Sequence, residues 1–187
     1  MNNLTQQPAG MIPRAGGRRG RQGLWSDPAT KTVPWSVVSS DGGNDMSWDV
    51  MVFHLRSKPQ SLDDLKEENL LPLGIAETVR AAVSAALHDR VDWSDPTWGM
   101  YDGHGFSIEF NVGKEDPIKD MMLHVRGGGD AIAEIMKIVV ANGWTALDCS
   151  TDDFLDPAAP SDAGWTGFQS FRDKIIERSR DDVSGEG

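Results

Sequence analysis

The chain has 187 residues, 39% hydrophobic and 25% charged, with 18 basic and 29 acidic residues for a net charge of −11. That length and apolar content suit one globular domain with residues to spare. The acidic balance argues against nucleic acid or an anionic membrane as a partner of that domain, because both need a basic face.

The charge is uneven. Residues 1–45 hold Arg14, Arg18, Arg19, Arg21 and Lys31 against Asp27, Asp41 and Asp45, a net of +2, which leaves a net of −13 for the rest. This first segment is rich in Gly, Pro, Arg and Gln and has almost no apolar periodicity, so it cannot bury enough surface to offset the entropy of ordering. It is expected to be a disordered extension or a start-site artefact, with Met46 as the natural start. A basic arm that contacts RNA is the alternative. The predicted domain is 46–180, followed by a disordered tail over 181–187.

Ser47–Leu55 is apolar on both faces and rich in β formers, which predicts a central strand. A long charged connection with Pro59 and Pro72 follows. Ile75–His88 carries apolar residues at 75, 79, 82, 83, 86 and 87, at helical spacing. Asp92 and Asp95 sit where Asx turns are expected, so DRVDWSDPTWG reads as a turn-rich link.

Three strands are predicted next. Thr97–Tyr101 is short, and DGHG is a hairpin signal. Phe106, Ile108, Phe110 and Val112 alternate with Ser107, Glu109 and Asn111. Met121, Leu123 and Val125 alternate with Met122, His124 and Arg126. Gly127-Gly128-Gly129 breaks that strand, and Asp130 is a good N-cap for a helix over Ala131–Ala141 with 132, 135, 136, 139 and 140 on one side. Asn142-Gly143 stops it. Trp144–Cys149 is a last strand. A terminal helix over Trp165–Ser179 carries Trp165, Phe168, Phe171, Ile175 and Ile176 on one stripe.

The predicted order is therefore β-α-β-β-β-α-β-α. It points to an α+β fold with a mixed or antiparallel sheet, a ferredoxin-like two-layer sandwich with an added strand.

Two groups of residues are candidates for function. Strand alternation puts Ser107, Glu109 and Asn111 on one face, and Met122, His124 and Arg126 on one face. If the GKEDP turn sets paired numbers to sum to 233, Glu109 faces His124 and Ser107 faces Arg126. Such a patch suits anion binding or acid–base work. It equally suits a wet sheet face held by cross-strand pairs. The second group is Asp92, Trp93, Asp95 and Trp98, where aromatics ringed by acids suit a surface for a basic protein partner. Core packing is the alternative for both tryptophans.

Other motifs carry less. RGGGD lacks P-loop and dinucleotide spacing, and its glycines suit a tight turn and close helix–sheet packing. His54, His88 and His104 share no metal-ligand spacing with one another or with Cys149, and no metal or cofactor is expected. Cys149 has no histidine base implied in sequence and reads as a buried structural thiol.

The segments MSWDVMVF, DWSDPTWG, FSIEFNVGKEDPI, MLHVRGGGD and NGWTALDCSTDDFLD resemble a family of small uncharacterised bacterial proteins over most of 46–156. The resemblance implies no catalytic residues. Small acidic α/β proteins of this kind are similar in general character to immunity proteins that neutralise toxins. The leading expectation is a non-enzymatic, cytoplasmic, immunity-like protein-binding domain. A small-molecule (anion) binder or enzyme centred on Glu109, His124 and Arg126 is the alternative.

Overall fold

The computed structural model of the protein describes residues 46–57, 59 and 61–184. The expectations for residues 1–45, including the start at Met46, lie outside these residues. So does the end of the tail, residues 185–187.

The fold is α+β. Among the described residues eight strands form one antiparallel sheet: β1 (Trp48–Leu55), β2 (Leu70–Leu71), β3 (Asp92–Asp95), β4 (Trp98–Asp102), β5 (Phe106–Asn111), β6 (Asp120–Gly127), β7 (Thr145–Asp148) and β8 (Asp153–Phe154). Their spatial order is β3-β4-β5-β6-β1-β7-β8, with β2 pairing on β1. The helices are α1 (Ala76–Ala86), α2 (Ala131–Asn142) and α3 (Ala163–Ser184).

The central position of β1 follows from its sequence. It is bonded on one side to β6 and on the other to β7, and a strand with two neighbours must be apolar over much of both faces. Trp48, Val50 and Val52 point to one face, where they meet Ile108, Phe110, Leu123 and Val125 in a single core. α1 and α2 contact one another and join that core through Val79, Val83 and Leu87, and through Ile132, Ile135 and Val139.

Helix caps follow ordinary chemistry. Asp130 accepts from the Ala133 amide at 3.2 Å, and Gly143 takes a left-handed φ of 66° at the end of α2. The buried stripe of α2 is turned slightly from expectation. Ile138 is fully buried, whereas Val140 is 61% exposed. The helix is packed along a flank by α1 as well as from below by the sheet.

Several short elements differ from expectation. DRVDWSDPTWG holds β3, an edge strand whose register shifts between Asp92 and Asp95. The 56–74 connection holds two 3-10 turns, Leu62–Asp64 and Glu67–Asn69, and then β2. β8 follows Cys149. These pieces are two to four residues long, too short to show a period of their own. The terminal helix starts at Ala163 and runs to Ser184, beyond the predicted end of the domain. Only Trp165 of its apolar stripe is buried; Phe171 is 55% and Ile176 41% exposed.

Candidate functional site

The sheet face opposite α1 and α2 is polar, and its side chains are set by strand alternation. β5 and β6 pair with Ser107 opposite Arg126 and Glu109 opposite His124, the register expected from their hydrophobic faces. β4 and β1 extend the row, so that Met100, Glu109, His124 and Asp49 lie side by side across four strands. Trp98 lies one row away, and its ring stacks on His124 with centroids 5.5 Å apart and planes inclined by 16°.

The charged groups pair, though not straight across the hairpin. Arg126 donates to the Glu109 carboxylate on the diagonal. His124 Nδ1 lies 2.8 Å from Asp49 Oδ1, and Ser47 Oγ donates to that same oxygen at 2.6 Å. Burial by itself would push the Asp49 carboxyl up. The His124 and Ser47 hydrogen bonds, with the charges of His124 and Arg126, outweigh it and hold this acid below the ordinary carboxylate value. An ionised Asp49 can only accept, so Nδ1–H donates to it and a neutral His124 ring carries its lone pair on Nε2.

α3 turns this face into a cleft of about 820 Å³. The floor includes Asp49, Glu109, His124 and Arg126. Trp98 stands on the floor, and Phe168, Phe171, Gly164 and Gly167 of α3 form a wall. Cys149 and Ser150 close the end beyond β7. The terminal helix therefore walls the polar face without sealing it.

Three anchors set the position of that wall. Trp165 packs between Trp48 and Phe168, with both centroid distances 5.5 Å, and its Nε1 donates to the Gly129 carbonyl at 3.0 Å. Arg172 donates to the Gly127 carbonyl. Gly164 packs against buried Asp148: a Cβ there would come within 1.8 Å of Asp148 Oδ2. Asp148 is itself held by Trp48 Nε1 at 2.9 Å and by the Ser150 amide and hydroxyl at 2.8 and 2.6 Å.

The RGGGD segment thus presents carbonyls to α3. Gly127 and Gly129 have φ of 95° and 80°, and a Cβ on either would come within 2.6 Å of a backbone oxygen. Close packing explains these glycines.

Asp92, Trp93, Asp95 and Trp98 do not form one surface. Trp93 points to the helix side, where its Nε1 donates to Ser84 Oγ at 2.9 Å and its ring lies 6.1 Å from that of Phe110. Trp98 is on the cleft side. Asp92 and Asp95 accept from the amides and hydroxyls of Ser94 and Thr97, respectively, which lowers both acids and closes the two turns.

Sequence reasoning passed over Asp49, although a single carboxylate within an apolar central strand was a visible signal. Cys149 shares the cleft with His124. Its thiol is pushed up to about 12, first by burial and then by the charge of Asp49, so it is a neutral group there and not an activated nucleophile. Among the described residues no group of three or more His, Cys, Asp or Glu could hold a metal ion, and no helix is long and apolar enough to cross a membrane.

No protein-family model, curated protein or solved structure matches the chain.

Proposed function

We propose that the protein binds a small organic molecule in the cleft between the polar sheet face and α3. The observation that carries this reading is the combination of size and lining. A concave space of about 820 Å³ has aromatic walls and a few convergent polar groups, which is the usual make-up of a ligand site. Polar residues that serve only to wet a sheet face need no aromatic wall opposite them.

An immunity-like acidic surface for a basic partner has less support. Trp93 is used in packing, and Asp92 and Asp95 are used in turns. Catalysis has less support too, because Cys149 stays protonated and each charged pair is internally matched.

The same reading takes the fold as ferredoxin-like with added edge strands, supported by the order β5-β6-β1-β7 and by helices in the β1–β3 and β6–β7 connections. It takes the protein as a bacterial one, on the segment resemblance, and as cytoplasmic, a reading compatible with the lack, among the described residues, of a helix long and apolar enough to cross a membrane. It excludes nucleic acid as a partner of residues 46–187, on their net charge of −13.

The test is fragment binding followed by the indole and imidazole NMR signals of Trp98 and His124. Hits should shift these signals and should vanish in Gly167→Leu, which adds bulk at a cleft-lining position where a Cβ meets nothing within 4 Å. Hits that persist unchanged in that variant would sink the cleft reading. Saturable binding of a basic protein that ignores Gly167→Leu would restore the acidic-surface reading.

A further inference from the structure

The charge of the cleft selects among ligands. The ionisable floor groups are two carboxylates, Asp49 and Glu109, one guanidinium, Arg126, and one imidazole, His124. With a neutral imidazole this set sums to −1, and with a protonated one to zero. In neither state does the site reach a net positive charge.

Both basic groups are also already engaged by carboxylates, Arg126 by Glu109 and His124 by Asp49. An anionic ligand would have to compete with those carboxylates for the same donors, inside a body of net −13. An organic cation competes with Arg126 and His124 for the same carboxylates, but each carboxylate has lone pairs for more than one donor and the net charge of the body favours the cation.

The walls favour a cation for a second reason. Trp98 on the floor and Phe168 and Phe171 on the α3 wall line the same cleft as the carboxylates. Aromatic faces attract ammonium groups through their quadrupole. Phe171, 55% exposed, stands accessible for such a contact.

We propose that the cleft takes a small organic cation, an aromatic or apolar body bearing an ammonium group, and discriminates against carboxylates. This rests on the cleft being a ligand site, and it departs from the anion that the alternative sequence reading gave to Glu109, His124 and Arg126. The ammonium would lie toward Asp49 and Glu109, with the apolar body between Trp98 and the α3 wall.

The test compares three probes with one ring system, tryptamine, indole-3-acetamide and indole-3-acetate, on the full chain and on Gly167→Leu. Affinity is read by calorimetry at low and at high salt. The expected order is tryptamine, then the amide, then the acetate, with at least a tenfold gap between the two charged probes at low salt. The gap should shrink in high salt, and tryptamine binding should be lost in Gly167→Leu. Indole-3-acetate binding as tightly as tryptamine would overturn the charge selection and leave the cleft standing. If no probe binds, or if all bind Gly167→Leu as they bind the wild type, the cleft reading falls and the inference with it.

Discussion

Asp49 and His124 are cross-strand neighbours, with Oδ1 and Nδ1 2.8 Å apart, although 75 positions separate them in the chain. The contact ties β1 to β6 on the cleft side. It makes stability depend on pH in a defined direction. The folded Asp49 carboxyl lies below its ordinary value of 3.8. Its contribution is therefore fully present above that value and is lost as pH falls through the lower, folded one. Asp49→Asn should cost about 1.5–3 kcal/mol near neutrality, the range for a charged hydrogen bond. The gap between wild type and variant should narrow below about pH 4. Denaturant melts across the acid range measure it, and a gap that does not change with pH would contradict the assignment.

Gly164 and Gly167 sit one turn apart on α3 and should respond oppositely to alanine. A Cβ on Gly164 would collide with Asp148 Oδ2 at 1.8 Å and with Ser150 Oγ at 2.5 Å. Gly164→Ala should cost about 1–3 kcal/mol, because the helix or the buried carboxylate must move. Nothing lies within 4 Å of a Cβ on Gly167, so Gly167→Ala should stabilise the helix by up to about 1 kcal/mol. Thermal melts of the two variants check the docking of α3 directly.

Gly99 provides a separate test on the other side of the sheet. A Cβ there would lie 2.6 Å from the nearest ring carbon of Trp93. Gly99→Ala should displace that ring, break its bond to Ser84 and cost about 1–3 kcal/mol. A red-shifted tryptophan emission should accompany the loss. An unchanged emission and melt would show that Trp93 is not packed in this way.

Cys149 should behave as a suppressed thiol. With its pKa near 12, alkylation by iodoacetamide should still be accelerating at about pH 10, where an ordinary cysteine has levelled off. A cleft ligand should slow the reaction further. Mass spectrometry of the modified fraction gives both answers. Rapid labelling at neutral pH would show an activated thiol instead.

Much of the site was legible in the hairpin. The two-residue period of a strand sorts Ser107, Glu109, His124 and Arg126 from Ile108, Phe110, Leu123 and Val125, and a register that matches the apolar faces leaves few choices. The bond partners were not legible. Side chains reach diagonally as well as straight across, so Glu109 meets Arg126, and His124 turns to a third strand. The short strands β2, β3 and β8 form only because a longer neighbour offers an edge.

By itself the sequence determined the long strands, the α2 caps and the register of β5 on β6, because each follows from local periodicity or from backbone chemistry within a few residues. Only the tertiary structure decided that Trp93 and Trp98 part to opposite faces, that Asp49 joins His124, and that α3 walls the polar face without sealing it. Those outcomes depend on contacts between distant segments. The wall in particular rests on Trp165 and Arg172 reaching the carbonyls of Gly129 and Gly127, 36 and 45 residues earlier in the chain. A backbone carbonyl carries no side-chain signature, so no pattern of residue types could announce it as an anchor.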